Sequence, residues 1–184
     1  MKNSLIILVH FFLASLLLTN CSSMRENTKK HSPEGVAEIQ DGNQQIRVTY
    51  SRPYKKGRLI FGEKGDGALV PYGKKWRTGA NEATEISFSE AVTIQGKELP
   101  AGLYSLYTIP GEESWIIAFN SKTDYWGATL GSPFKQRKDV LRAEVPVKKL
   151  ESVEEQLVID LQKGGDKINL VIRWDNVEVA LEMN

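Results

Sequence analysis

The chain reads as an all-β protein, an antiparallel β-sandwich or jelly-roll-like barrel with long loops and little helix. Three observations predict it. Short apolar segments alternate with polar residues at period two; Gly, Pro, Asn and Asp separate them at turn spacing; and no apolar stripe at helical spacing is long enough for a sizeable helix. Ile46, Val48 and Tyr50 alternate with Arg47 and Thr49, and Thr84 to Phe88 places Ile86 and Phe88 on one face. Val92 to Ile94 runs into a turn at Gln95-Gly96, and Leu99-Pro100-Ala101-Gly102 leads into a strand over Leu103 to Ile109. Pro110-Gly111-Glu112-Glu113 then predicts a hairpin with Trp115 to Phe119. A second hairpin is expected where the strand holding Val158, Ile159 and Leu161 meets Lys163-Gly164-Gly165-Asp166 and returns through Ile168, Leu170, Ile172 and Trp174. Asp175-Asn176 reads as a third reversal before Val177, Val179, Leu181 and Met183. Two stretches escape the pattern, Lys55 to Lys75 and Asn120 to Arg142, and long loops on a β scaffold are where binding residues tend to sit.

At 184 residues the chain suits one domain. Lys2 and an apolar run from Leu5 to Leu18 predict a signal peptide over residues 1–20; the run is short for a membrane span, which takes about 20 apolar residues. Leu18-Thr19-Asn20-Cys21 resembles a bacterial lipobox, with Asn20 where a small residue is usual. Two readings follow: lipidation of Cys21 by palmitate or a related acyl chain, or ordinary cleavage nearby. The first implies an anchor in a membrane and a location in the bacterial cell envelope, facing the periplasm or the cell surface. Residues 21–35, polar and aperiodic with Pro33 and Gly35, read as a flexible tether, and 36–184 as a single β domain.

Composition excludes several chemistries. Cys21 is the only cysteine, so no internal disulfide can form. The two histidines, His10 and His31, fall in the leader and the tether, so Ser/His/Asp triads, Cys/His dyads and the common zinc sites are ruled out of the domain. No cofactor is expected, and no metal. Basic and acidic residues number 24 and 23, a balance that argues against nucleic acid as a partner.

The candidate site is Trp76-Arg77-Thr78-Gly79-Ala80-Asn81-Glu82-Ala83-Thr84-Glu85, where an aromatic, an arginine, an asparagine and carboxylates crowd around a glycine. Gly79 with positive φ and Asn81 as a turn former predict a tight reversal that brings Arg77 and Glu82 together. That pair reads either as a brace or as part of a pocket. Arg52, Lys56 and Arg58 could join Arg77 around a carboxylate or phosphate, since arginine offers a bidentate fork. Tyr72, Trp76, Tyr107, Tyr125 and Trp126 could stack on a sugar or another flat ligand, whereas Trp115 and Trp174, inside strands, read as core. The ligand-binding set is therefore Trp76, Arg77, Asn81, Glu82, Arg52, Arg58 and Trp126, with Cys21 for lipidation and no catalytic residue.

Several motifs occur together in order: Ser51-Arg52-Pro53, Lys56-Gly57-Arg58, Ile60-Phe61-Gly62, Leu69-Val70-Pro71-Tyr72-Gly73, Trp76 to Thr84, Leu99 to Pro110 and Trp126-Gly127-Ala128. In these the chain resembles the bacterial domain-of-unknown-function 2911 family over roughly Ile46 to Met183. The resemblance implies an exported, mostly β protein and brings no catalytic residues. Glu63 to Ala68 stands as an insertion in the pattern, and Thr129-Leu130 takes the place of an aromatic after Trp-Gly-Ala. The functional expectation is an envelope lipoprotein acting as a non-catalytic ligand-binding or structural module, its partner a small molecule, a glycan or a protein. The alternative is a hydrolase of envelope or imported glycans that uses paired carboxylates such as Glu82 with Glu85 or Glu63 with Asp66.

Overall fold

The computed structural model describes residues 26–123, 125–126 and 135–184. Eleven strands are present among the described residues: β1 (Glu34–Asp41), β2 (Gln44–Ser51), β3 (Phe61–Gly62), β4 (Val70–Pro71), β5 (Thr84–Phe88), β6 (Val92–Ile94), β7 (Lys97–Leu99), β8 (Gly102–Ile109), β9 (Ser114–Asn120), β10 (Asp139–Gly164) and β11 (Lys167–Met183). Seven form one curled sheet in the order β1-β2-β5-β8-β9-β10-β11, antiparallel throughout. The all-β, antiparallel expectation therefore holds, with one local departure: the two-residue strands β3 and β4 pair parallel.

The curl comes from β10. Its first half pairs with β9 and its second with β11, and between Lys149 and Val158 the register slips twice. Such bulges bend a strand and increase its twist. The bend brings residues 155–157 back to the end of β2, where Lys55 N–H donates to the Glu155 carbonyl at 2.7 Å and Leu157 N–H to the Pro53 carbonyl at 3.0 Å. The concave side is the core, holding Ile46, Val48, Ile86, Leu106, Ile117, Phe119, Leu157, Leu170 and Trp174. Phe61, Trp76, Trp115 and Trp174 form an aromatic cluster within it, Trp76 stacked on Trp174 with centroids 5.6 Å apart.

Two elements differ from the sequence reading. Asp175-Asn176 is not a reversal: β11 runs straight through, with Asp175 at φ 58°. The core-facing positions are Ile168, Leu170, Ile172 and Trp174 before it and Val177, Val179, Leu181 and Met183 after it, and Val171 is buried from the other face. Even numbers give way to odd, and one extra residue in a bulge produces that change of phase as well as a turn does. Within Asn120 to Arg142, residues 139–142 belong to β10, whose Leu141, Ala143 and Val145 are buried at alternate positions. The Lys55 to Lys75 stretch holds β3 and β4, and the inserted Glu63 to Ala68 lies in the loop joining them.

The hairpins at 110–113 and 165–166 form as the turn residues predict. Gln95 and Gly96, at φ 49° and 75°, make the two-residue turn between β6 and β7. Part of the stretch read as a tether is structured: residues 26–31 form a short helix, and β1 begins at Glu34. No helix among the described residues is long and apolar enough to cross a membrane. Residues 1–25, with the signal segment and Cys21, lie outside the described residues, as does Thr129-Leu130.

Candidate functional site

On the convex face of the sheet a row of polar side chains crosses five strands. Thr49 of β2 lies opposite Glu85 of β5, Glu85 opposite Ser105 of β8, Ser105 opposite Asn120 of β9, and Asn120 opposite Asp139 of β10. Residues opposite one another in an antiparallel sheet share a face. One step along, Tyr107, Ala118 and Arg142 form a parallel row. A bulge between Asp139 and Leu141 is what lets Asp139 and Arg142, three apart, both face outwards. This face is not solvated like the outer face of an ordinary sheet. Ser105, Tyr107, Ala118 and Asn120 are all fully buried, with Tyr125 packed against Tyr107 and Ala118.

The polar groups at the β10 end satisfy one another. Asp139 accepts from the Tyr107 hydroxyl at 2.7 Å, from Arg142 Nε at 2.7 Å and from Asn120 Nδ2 at 2.6 Å, and Arg142 also donates to the Tyr107 oxygen at 2.7 Å. Burial, with help from the hydrogen bond to Asp139, pushes the Tyr107 hydroxyl up to about 12. Lys75 and Arg142 both lie over the Tyr107 ring, 5.6 and 6.0 Å from its centroid. Asp139 and Arg142 also line a recess of about 280 Å³ with Lys97 and Gln136.

At the other end lies the loop from Trp76 to Ala83. Trp76 pairs with Thr108 through both backbone hydrogen bonds, each 2.8 Å, and its indole N–H donates to the Gly79 carbonyl. Thr78 follows at φ 55° and Asn81 at φ 56°. Asn81 tolerates that conformation, but for a β-branched residue it is strained, and Thr78 is held there by burial and by hydrogen bonds to Thr108 Oγ1 and Trp76 O. Gly79, expected to take positive φ, does not. What requires glycine there is space: a Cβ would sit 3.0 Å from Thr84 Oγ1 and 3.1 Å from the Ser51 carbonyl. Asn81 is buried, and its Nδ2 donates to Ser32 O at 3.3 Å and Ser51 Oγ at 3.4 Å, fastening the loop to β2 and to the end of the short helix.

Arg77 and Glu82 are not partners. Glu82 pairs with Lys29 of the short helix at 2.8 Å, and Arg77 makes no ion pair among the described residues. The two positive-φ residues between them turn the chain twice, which separates side chains that a single reversal would have joined. Arg77 Nε is buried and without a hydrogen-bond partner. Burial pulls its guanidinium down from its ordinary value, partly opposed by the nearby Tyr125 hydroxyl. Burial in turn pushes Tyr125 up to about 12, with Glu85 and Tyr107 adding to the rise, while the nearby Ser105 hydroxyl and Arg77 oppose it.

Beside this cluster a cleft of about 210 Å³ opens to solvent, its charged walls being Lys29, Glu34, Glu82 and Glu85 and its hydroxyl-bearing ones Thr49, Tyr50, Ser51 and Tyr125. Glu82 and Trp126 meet across a backbone bridge, and Ala83 N–H donates to the Tyr125 carbonyl at 3.0 Å, which holds Tyr125 against the cleft. Among the described residues no three His, Cys, Asp or Glu side chains cluster closely enough to hold a metal ion.

The predicted residues thus divide. Arg77, Glu82 and Trp126 stand around the Tyr125 corner, with Asn81 holding the loop from beneath. Trp76 faces the core aromatics, as Trp115 and Trp174 do. Arg52 and Arg58 do not join Arg77: Arg52 reaches Leu157 O at 3.4 Å, while Arg58 donates to Lys55 O at 2.9 Å and to Tyr54 O, closing its own loop. Lys56 likewise turns to β10, its backbone N–H bonded to Glu155 at 2.8 Å. Cys21 lies outside the described residues. Sequence reasoning missed Glu85, Ser105, Asn120, Asp139 and Arg142 as one set. Their only signal was polar residues at strand positions, and strand order was needed to line them up.

No curated protein and no solved structure matches the chain. A family model described as a protein of unknown function, DUF2911, matches residues 32–183, a span that takes in β1 through β11 and both ends of the polar row. The chain belongs to the DUF2911 family.

Proposed function

We propose that the protein is an exported, lipid-anchored module of the bacterial cell envelope that binds a ligand at the convex-face site and does no chemistry on it. One observation carries this reading: a buried polar layer, which packing alone does not require, ends in an open cleft walled by Glu34, Glu82, Glu85 and Tyr125. Buried polar groups cost stability unless satisfied, so a fold that lines them up across five strands points to use rather than architecture. The anchor would be an acyl chain on Cys21, and the ligand a small molecule, a glycan or a segment of another envelope protein.

A second reading draws on Glu82 and Glu85 sharing that cleft, since glycoside hydrolysis needs two carboxylates across one bond. Binding is favoured because Glu82 is engaged by Lys29. Native mass spectrometry of the protein purified from its own host tests the choice. A discrete adduct that disappears in Glu85→Gln is expected. A bare protein that cleaves envelope glycans, and stops doing so in Glu85→Gln, would replace binding with hydrolysis.

A further inference from the structure

Residues 26–31 form a helix of six residues, every one of them exposed. It buries no apolar side chain, and an isolated helix shorter than about 12 to 15 residues is marginal in water. Its order therefore comes from what it touches. Lys29 Nζ meets the Glu82 carboxylate at 2.8 Å, and the Ser32 carbonyl, at the helix end, accepts from Asn81 Nδ2 at 3.3 Å. Just beyond, the chain joins the sheet, Arg52 N–H donating to the Pro33 carbonyl at 2.8 Å. The segment is thus anchored at Pro33 and fastened at Lys29 by an ion pair whose side chains are 55% and 43% exposed, a kind of contact that contributes little stability.

Lys29 and Glu82 are both walls of the convex-face cleft, one from the helix and one from the 76–83 loop, so the bond between them ties two sides of the cleft together. Among the described residues that line the cleft, Lys29 is the one cation and stands against three carboxylates, Glu34, Glu82 and Glu85. A cleft walled by one sign of charge attracts the other. Here the fold itself supplies the attracted group, an ammonium, and carries it on one of the least buried segments of the chain. Segments that move on binding are drawn from that low-stability end of a structure.

We propose that residues 26–32 are a strap that closes the cleft through Lys29, and that a ligand bearing a primary ammonium opens it by taking the place of the Lys29 ammonium on Glu82. This deepens the ligand-binding reading and rests on it for the use of the cleft. An ammonium is the group that Glu82 already receives there. Lys29 competes with the ligand from within the same chain, at an effective concentration set by its short connection to Pro33. Because the fastening pair is exposed, the closed and open states lie close in free energy, and a ligand needs only a small preference for the open state to shift the balance.

The test is hydrogen–deuterium exchange of the full protein, as its host makes it, read on the backbone amides of residues 26–32, in methylammonium chloride against sodium chloride at matched ionic strength. Methylammonium should speed exchange there about two- to fivefold beyond the sodium control. Glu82→Gln should speed it by a similar factor without methylammonium and abolish the further response. In Lys29→Ala the strap should exchange at the open rate in both salts. Methylammonium should also bind this variant about two- to fivefold more tightly than the wild type, read from its titration in thermal unfolding, because the internal competitor is gone. Equal exchange over 26–32 in the wild type, Glu82→Gln and Lys29→Ala would overturn the proposal, as would equal responses to methylammonium and sodium. Loss of protection across β2 and β5 in either variant would also overturn it, by showing that the pair holds the sheet rather than a strap. A host-derived adduct on a protein whose 26–32 segment does not respond would sink the strap and leave the ligand-binding reading intact. The expected strap response in a protein that carries no adduct would uphold the strap and count against that reading.

Discussion

The Tyr50 hydroxyl, inside the core, accepts from the Ile159 backbone N–H at 2.9 Å and donates to the Ile159 carbonyl at 3.1 Å, so that one side chain of β2 completes the ladder of the bent half of β10. The two residues are 109 positions apart, and the contact ties the two limbs of the curl where a gap in the sheet would leave both backbone groups unpaired.

Tyr50→Phe should therefore cost more than an ordinary loss of a hydroxyl. Two buried backbone groups are left unsatisfied, and a destabilisation of about 1 to 3 kcal/mol in urea unfolding is expected. A change within about 0.5 kcal/mol, as at surface sites, would mean that the curl closes without this tie.

Arg77 and Glu82 should behave independently of each other. A double-mutant cycle between Arg77→Met and Glu82→Gln should show coupling near zero, because the sites share no partner. The cycle between Lys29→Ala and Glu82→Gln should show a small one, about 0 to 1 kcal/mol, since that pair is solvent-exposed. Coupling above 1 kcal/mol in the first cycle would restore the pairing that a single tight reversal implies.

Gly79→Ala should destabilise the fold although the backbone there is not left-handed. The new methyl would press on Thr84 Oγ1 and on the Ser51 carbonyl, and overpacking of this kind costs about 1 to 3 kcal/mol. A neutral result would show that the loop can lift away from β2.

Alkaline pH should weaken the fold through the two tyrosines of the convex face. Tyr107 and Tyr125 are pushed up from 10.0 to about 12, so the folded state holds protons that the unfolded chain has begun to release. Their contribution is complete below pH 10 and is lost as the pH rises towards 12. Urea midpoints measured from pH 9 to 12 should fall in the wild type and fall less in the Tyr107→Phe, Tyr125→Phe double variant. Tyrosinate absorbance should show two groups ionising late.

The anchor is tested in the cell. Metabolic labelling with an acyl-chain probe should mark the wild type and not Cys21→Ala. Equal labelling of the two, or none in the wild type, would move the protein from the membrane to the soluble envelope.

Alternation along β2, β5 and β9, and turn chemistry at 95–96, 110–113 and 165–166, made strands and hairpins legible from the chain alone, because side-chain direction in a strand depends only on parity. The same parity rule misread Asp175-Asn176, since a bulge and a turn both shift the phase by one. The Trp76 to Glu85 stretch was legible as a place, through its composition. Its internal arrangement was not, because Lys29, Ser32 and Ser51 supply the partners of Glu82 and Asn81 from outside it. The polar row of Thr49, Glu85, Ser105, Asn120 and Asp139 belongs wholly to the tertiary structure. Each of its members is an unremarkable polar residue in its own strand, and only the order of the strands, with the bulge before Leu141, makes them neighbours on one face, buried at Ser105 and Asn120 and partly open at Thr49 and Glu85.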